Sequence, residues 1–394
     1  MIYAGCDAHK HYSVFAFSDD KGPLGRPVRV EHQRALFRRF LEELPERMSI
    51  AVETIGSWYW LIDAMEAAGH NPILTDARKA KARMGQTNKT DKLDAAGLAV
   101  LMRNGTLPAV WIPPKELRDQ RELPRMRMTL VQMRTKVKNR IQATLAKYAL
   151  TIDEVSDVFG VKGRVELMER VAELPPHTRF SVEAELKLLD QLGGQIKEVE
   201  GAIRAVVEET PAIRLLMTLP GVGMILGVVM ALEIGEVERF ATAEKLASYA
   251  GTVPRVIASG GKIRHGKTRA DVNQYLKWAL FEAANVVSSH RRRWPDRHVV
   301  RLYLRIRERK GHGKAVGAVA RHLAEAAYWT LRKNEIYREP QGSSTSSTRE
   351  ETRPFPREES PEHLIADLAE EDTHAAENAN TWIGRTEEGG ERKK

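Results

Sequence analysis

The sequence has a single cysteine, Cys6, among 394 residues. One cysteine cannot form a disulfide within the chain or a cysteine-based zinc cluster, which excludes disulfide-stabilised scaffolds and zinc-finger modules. Long apolar runs are also lacking, because none approaches the ~20 residues that a membrane-spanning helix needs. The chain enters a strand pattern at its N-terminus, so we expect no signal peptide. These absences predict a protein of the reducing cytoplasm without a membrane partner.

Acidic residues are outnumbered by basic residues in most of the chain and outnumber them near its C-terminal end. Residues 341–394 hold 7 Lys or Arg against 13 Asp or Glu, a net charge of −6. The whole chain carries +9, so residues 1–340 carry +15. Such a basic body indicates nucleic acid as a partner, whereas the polar, acidic segment predicts a disordered tail over residues 341–394. A length of 394 residues allows two or three domains with cores of their own, and a hydrophobic fraction of 42% predicts that most of the chain is globular.

Residues 1–112 alternate between strand-like and helix-like patterns, which predicts an α/β domain with parallel strands. Amphipathic helices are expected over Gln33–Leu44 and Trp58–Ala68. The predicted strands are Ile2–Asp7, Ser13–Phe17, Val28–Val30, Ser49–Glu53 and Pro72–Leu74.

Four acidic residues of this domain form a candidate metal site. Two of them end strands, and two lie three residues apart in the first turn of a helix that Thr90 caps. The four residues are Asp7, Glu53, Asp91 and Asp94. Carboxylate oxygens suit magnesium, and without a cation so many carboxylates would repel one another. Acids in a first turn also favour the helix dipole, so an ordinary capped helix and ordinary strand ends are the alternative.

Residues 113–212 read as a helical region that begins at Pro113-Pro114. Apolar residues recur at steps of three and four over Glu116–Tyr148, and again from Val182 to Val206. Two helices with such seams predict either an antiparallel hairpin or a coiled-coil contact between subunits. The first apolar stripe comprises Met126, Leu130, Met133, Val137, Ile141, Leu145 and Tyr148.

Residues 213–340 form a predicted C-terminal helical domain. Its Leu219-Pro220-Gly221-Val222-Gly223 segment resembles the hairpin of helix-hairpin-helix modules, in which glycine amides and a helix N-terminus approach phosphate. We therefore take Gly221 and Gly223 as candidate nucleic-acid contacts. A turn that only packs two helices together would look the same.

A glycine-rich stretch follows, with one serine among basic residues. Ser259 precedes Gly260-Gly261, and Lys262, Arg264 and Lys267 come directly after them. These cations could bind phosphate and offset negative charge that develops on it. The alternative is a flexible surface loop. His9 and His11, in the N-terminal domain, are interpreted as exposed hairpin residues and not as metal ligands.

The order of these motifs resembles that of the DEDD transposases of the insertion-sequence family numbered 110, with its 116 and 902 relatives. The resemblance covers about residues 1–335. The N-terminal part of that family is similar to the ribonuclease-H-like fold of RuvC nucleases. The motifs are Gly5-Cys6-Asp7-Ala8-His9-Lys10, Val52-Glu53-Thr54, Thr90-Asp91-Lys92-Leu93-Asp94-Ala95, Leu219-Pro220-Gly221-Val222-Gly223, Ser259-Gly260, Leu276-Lys277-Trp278-Ala279-Leu280 and Lys314-Ala315.

The resemblance implies a DNA transposase that cleaves and rejoins strands. Asp7, Glu53, Asp91 and Asp94 would bind two magnesium ions, and Ser259 would form a 5′-phosphoserine link to DNA. A structured guide RNA would pair with element ends and target DNA. The middle helices would join subunits into a homodimer or homotetramer, in a prokaryotic cytoplasm near the nucleoid.

Two alternatives remain open at this point. The first is a RuvC-like nuclease or junction resolvase, which uses the four acids and water and forms no covalent intermediate. The second is an inactive nucleic-acid-binding scaffold. The sequence also departs from many relatives at Lys277, where they carry Arg, so a bidentate phosphate contact there is in doubt.

Overall fold

The structure is a computed structural model that describes residues 1–85, 90–153, 155, 157–207, 210–259, 262–269 and 271–340. The predicted tail, residues 341–394, lies outside the described residues. The chain divides into two compact units, residues 1–114 and the described residues from 115 onward. None of the helices that the structure describes combines the length and apolar character that crossing a bilayer requires.

The first unit is a mixed sheet with helices. The strands are β1 (Tyr3–Ala8), β2 (Tyr12–Asp19), β3 (Gly22–Glu31), β4 (Ser49–Glu53) and β5 (Asn71–Thr75), in the sheet order β3-β2-β1-β4-β5. The helices are α1 (Arg34–Glu42), α2 (Trp58–Ala67), α3 (Ala77–Met84) and α4 (Asp91–Arg103). Strands β1, β2 and β3 pair antiparallel, and β1, β4 and β5 pair parallel. The predicted α/β class and its parallel strands are confirmed.

Strand β3 is much longer than the predicted Val28–Val30. Pro23 and Pro27 interrupt the apolar pattern, and most of the strand is exposed. Proline is tolerated in an edge strand because its missing N–H can face away from the sheet. The sequence pattern therefore underestimates an edge strand that has little apolar surface to bury.

The second unit is helical, with one small sheet. Its helices are α5 (Lys115–Gln120), α6 (Glu122–Lys147), α7 (Val161–Ala172), α8 (Pro176–Val207), α9 (Pro211–Leu216), α10 (Met224–Ile234), α11 (Ala243–Tyr249), α12 (Gln274–Ser289), α13 (His298–Lys310) and α14 (His312–Lys333). The strands β6 (Pro254–Ser259) and β7 (Lys262–Thr268) pair antiparallel.

Helices α6 and α8 pack against each other in antiparallel directions within one chain. Leu130, near the start of α6, shares a core with Ile203, near the end of α8, and Ile141 shares another with Val182. The first of these cores also includes Ile213 of α9. The predicted middle region, residues 113–212, thus shares a hydrophobic core with residues beyond 212.

The first predicted stripe is only partly buried. Met126, Met133 and Tyr148 are 44–50% exposed, whereas Leu130, Ile141 and Leu145 lie in the core. Arg127 is buried and pairs with Glu200 of α8 at 2.7 Å. A long charged side chain thus occupies an inward position, which the count of apolar residues cannot anticipate.

Candidate active site

Strands β1 and β4 bring two of the predicted acids to one edge of the sheet. Cys6 lies opposite Val52 in the parallel register, so Asp7 and Glu53 follow at the same edge. Asp7 is buried, although it carries a carboxyl group. Burial raises the pKa of the Cys6 thiol to about 12, and the nearby carboxylates of Asp7 and Glu53 also raise it.

Helix α4 supplies the other two acids because it packs directly on β1. A Cβ atom placed on Gly5 would lie 2.0 Å from the carbonyl oxygen of Ala95 and 2.7 Å from the amide nitrogen of Ala99. Only glycine permits this approach of strand to helix. The contact holds the start of α4, with Asp91 and Asp94, beside the end of β1.

The predicted N-cap of α4 is confirmed. The Thr90 hydroxyl accepts a hydrogen bond from the Leu93 amide at 3.3 Å. This bond satisfies one of the free amides of the first turn and fixes where the helix begins. Asp91 is therefore the first helical residue, and Asp94 lies one turn further along.

Both acids of α4 affect the pKa of the Asp7 carboxyl group. Burial raises the pKa of Asp7; His9 opposes this shift, while the charges of Asp94 and Asp91 add to it. Desolvation and like charges both penalise an anionic carboxylate. A cation at this position would relieve both penalties, so the donor set fits a hard divalent metal ion.

His9 contacts two of these acids, so its interpretation as a simple exposed hairpin residue is wrong. Its Nε2 atom lies 3.1 Å from Oδ2 of Asp7 and 3.3 Å from Oδ2 of Asp91. The side chain is only 36% exposed. By contrast, His11 is exposed. The pairing of Ala8 with Ser13 makes a tight turn that places His9 over the end of β1.

Tyr12 completes this cluster. Its hydroxyl donates to Oδ2 of Asp91 at 2.9 Å, and its ring lies 4.7 Å from the His9 ring. The hydrogen bond to Asp91 raises the pKa of Tyr12. The guanidinium of Arg29 lies 3.6 Å above the Tyr12 ring. Sequence spacing could not reveal this arrangement, because β2 and β3 deliver these two residues from the other side of β1.

Among the described residues, one group of ligand atoms is close enough for a single ion. Asp7, His9 and Asp91 each offer an atom within 4.8 Å of the others. Glu53 and Asp94 are not in this group. The structure thus brings Asp7 and Asp91 together, and places Asp94 and Glu53 near them through electrostatic contacts with Asp7 and Cys6.

The residues on either side of Gly260-Gly261 form the paired strands β6 and β7, a β-hairpin, so the interpretation as a loop is wrong for these flanking residues, and Gly260 and Gly261 themselves lie outside the described residues. Ser259, the last residue of β6, pairs with Lys262, the first of β7, and Ile257 pairs with Arg264. The β-branched residues before Ser259 favour a strand. Arg264 is exposed on β7, and Lys267 lies near the end of that strand.

Lys277 attaches α12 to this hairpin. Its Nζ atom donates to the Thr268 hydroxyl at 3.1 Å, and burial lowers the pKa of the amine. Asn273 caps α12 by accepting from the Leu276 amide at 2.9 Å, and its amide group donates to Glu233 at 2.8 Å. Glu233 is buried and accepts two hydrogen bonds from Arg125. These contacts fix the helix that follows the serine hairpin, and no sequence motif signals them.

The two glycines of the turn between α9 and α10 differ in their surroundings. Gly221 has a φ of +77°, and a Cβ there would lie 2.3 Å from the carbonyl oxygen of Ala283 in α12. Glycine is therefore required at this position by its positive φ and by its packing against α12. Gly223 is exposed and begins α10 as its N-cap. Of the two, Gly223 is the more exposed.

Helix α13 presents a dense group of basic side chains. Five cations and one acid, Glu308, lie on its outer part, all of them exposed. The cations are Arg301, Arg305, Arg307, Arg309 and Lys310. Arginine side chains on one helix are a typical surface for the phosphate backbone of nucleic acid.

Comparison with known proteins defines the class. A transposase model of the DEDD IS110 type matches residues 4–150, which include Asp7, Glu53, Asp91 and Asp94. A second model, described as transposase IS116/IS110/IS902 family, matches residues 213–299, which include Ser259. The protein is a transposase.

Curated relatives agree with this class. A "Probable family 20 transposase" of Pseudomonas aeruginosa is 27% identical, over 66% of this chain and 76% of the relative. The transposase for insertion sequence element IS1111A of Coxiella burnetii is 25% identical, over 64% of this chain and 69% of the relative. An insertion element IS116 protein of Streptomyces clavuligerus is 23% identical over 85% of this chain and 96% of its own length. The chain belongs to the IS110/IS116/IS902 transposase family.

Proposed function

We propose that this transposase is a magnesium-dependent, RNA-guided DNA recombinase that uses a four-carboxylate metal site and a serine nucleophile. The observation that carries the proposal is the gathering of acids where β1, β4 and the start of α4 meet. A buried carboxyl, Asp7, lies there beside Asp91 and Asp94, with Glu53 at the same sheet edge. This gathering lies within the segment that matches the DEDD model.

The carboxylates would hold the metal. Asp7 and Asp91 offer oxygens close enough to share one ion, and Glu53 and Asp94 extend the acidic edge. Two magnesium ions bound there would supply positive charge to the attacking and leaving oxygens of phosphoryl transfer. The protein would preorganise this site, because the close packing of β1 on α4 keeps the carboxylates together before any ion binds.

Ser259 would act as the nucleophile. Its hydroxyl oxygen would attack phosphorus, form an ester bond to the 5′-phosphate and displace the 3′ oxygen of the cleaved strand. A serine hydroxyl is a weak nucleophile without a base or a metal to activate it. Support for this role comes from the position of Ser259 at the end of β6, opposite Lys262 and two register steps from the pair that contains exposed Arg264. Lys262, Arg264 and Lys267 would bind the phosphate.

Nucleic acid would bind the basic surfaces. Helix α13 offers exposed arginines, and Gly223 offers an exposed helix start. DNA of the element ends and the target, together with a structured guide RNA, would be the partners. Exposed apolar residues on the middle helices support assembly into a homodimer or homotetramer. They include Met126, Met133, Val161, Val165 and Met168, all at least 45% exposed.

A denaturing gel tests the proposal. The protein is incubated with labelled DNA, its co-purified RNA and magnesium, and the covalent protein–DNA adduct is measured. Ser259→Ala and Asp94→Asn should each lose the adduct but keep nucleic-acid binding, because binding depends on the basic surfaces. Ser289→Ala is the matched control, since Ser289 ends α12 and its hydroxyl only donates to the Asn285 carbonyl.

The alternatives give different results in the same assay. If Ser259→Ala still recombines DNA, the serine mechanism is wrong and a resolvase-like reaction with water is favoured. If wild-type protein binds DNA but never cleaves it, the chain is a nucleic-acid-binding scaffold. Sequencing of co-purified RNA tests the guide, because a single structured species from the element's flank is expected.

A further inference from the structure

The nitrogen of His9 lies where a metal ligand would lie. Its Nε2 atom is 3.1 Å from one oxygen of Asp7 and 3.3 Å from one oxygen of Asp91. Neighbouring ligands of a six-coordinate ion with bonds slightly above 2 Å are roughly 3 Å apart. A single hydrogen bond to Asp7 would account for the first distance. The same nitrogen also approaches Oδ2 of Asp91, which accepts a hydrogen bond from Tyr12 as well, so the ligand atoms of three residues converge on one point.

The turn between β1 and β2 holds His9 in this position. The His9 amide donates to the Tyr12 carbonyl at 2.8 Å, and the two rings lie 4.7 Å apart. Tyr12 in turn donates to Asp91. The imidazole is therefore oriented by its own backbone and by a neighbour that also contacts the opposite carboxylate. Contacts that restrict the orientation of a side chain favour its use as a ligand.

We propose that His9 is a ligand of the ion shared by Asp7 and Asp91, and that it gives this position a higher affinity for manganese(II) than for magnesium, which the carboxylates also bind. The inference rests on the metal site of the proposed function and specifies which ion that site prefers. Magnesium prefers oxygen ligands and keeps its bound water. An imidazole nitrogen suits first-row transition ions better than magnesium. A set of two carboxylates and one imidazole should therefore bind manganese(II) more tightly than magnesium.

Metal binding to the full-length protein, freed of metal by a chelator, tests the proposal. Free manganese(II) is measured by electron paramagnetic resonance during titration at fixed pH, and magnesium is then added as competitor. His9→Ala should weaken manganese binding by about 10-fold or more, since even supporting residues of metal sites have effects of that size. Magnesium binding should change much less, because the carboxylates remain.

Two further variants make the result specific. His9→Asp restores an oxygen ligand, so it should bind magnesium and lose the preference for manganese. His11→Ala removes an exposed histidine from the same turn and should behave like wild type. Thermal melting without metal checks that each variant is folded.

Two outcomes would overturn the inference. Unchanged manganese affinity in folded His9→Ala would mean that the ring only hydrogen-bonds to Asp7. The inference would also be overturned if the wild-type protein did not bind manganese more tightly than magnesium. Neither outcome decides the proposed function, because adduct formation in magnesium is measured separately and depends on Ser259.

Discussion

Single residues decide how closely the acids of this transposase approach one another. Gly5 is the clearest case, since a side chain there would collide with the backbone of α4. The acids themselves follow from the sequence, because strand ends and a capped first turn can be recognised in it. Gly5 and His9 do not stand out in the same way, because their roles arise from a helix and a turn that meet only in the folded chain.

Gly5→Ala should push α4 away from β1. Overpacking of this kind costs about 1–3 kcal/mol. Separation of Asp91 from Asp7 should also weaken metal binding. Cys6 gives a direct readout, because it is the only cysteine and is fully buried. We expect faster labelling of Cys6 by a thiol reagent, a lower melting temperature and weaker manganese binding in Gly5→Ala.

Gly56→Ala is the matched control for this variant. No atom lies within 4 Å of a Cβ placed on Gly56, so the substitution should be tolerated. Labelling of Cys6 at the wild-type rate in Gly5→Ala would show that β1 and α4 accommodate the methyl group. In that case the close approach is not what holds the acids together.

Secondary-structure elements were predictable where a local signal exists. The strand Ser49–Glu53 and the Thr90 cap are confirmed at their predicted residues, because a compact apolar strand and a capping hydroxyl are both local features. Elements that depend on tertiary contacts, and not on a local sequence pattern, were not predicted. The serine hairpin exposes Val256 and Ile257, so its strands lack the alternation that marks a half-buried sheet.

The basic face of α13 should set how strongly DNA binding depends on salt. Each phosphate contact contributes about −0.9 to the slope of log K against log salt. Arg305→Ala combined with Arg309→Ala should therefore reduce the slope by about 2 and weaken binding of unrelated sequences equally. Fluorescence anisotropy over a range of salt concentrations measures both quantities.

The control removes an arginine of similar exposure elsewhere. Arg39 lies on α1 and pairs with Glu43 at 2.7 Å, so its charge is already compensated. Arg39→Ala should leave the slope unchanged. An unchanged slope in the α13 double variant would show that this helix does not contact DNA. Lys262, Arg264 and Lys267 would then be the next candidates for the phosphate contacts.

At the scale of the whole molecule, charge is divided between a basic body and an acidic C-terminal segment. Residues 1–340 carry +15 and residues 341–394 carry −6. The composition of the segment predicts that it buries little apolar surface, so it should act on DNA binding through its charge. An acidic segment near cationic side chains competes with phosphate for them and lowers the local potential that attracts DNA.

Deletion of residues 341–394 should therefore strengthen nonspecific DNA binding at low salt. The salt slope should stay the same if the segment only lowers the average potential, and should steepen if it occupies phosphate-binding cations. The melting temperature should change little, as expected for a segment of polar, acidic composition. A full-length variant with the acids of this segment replaced by Asn and Gln separates charge from bulk and should match the deletion. Unchanged DNA affinity in both variants would contradict the electrostatic role, and a large loss of stability on deletion would mean that the segment packs against the body.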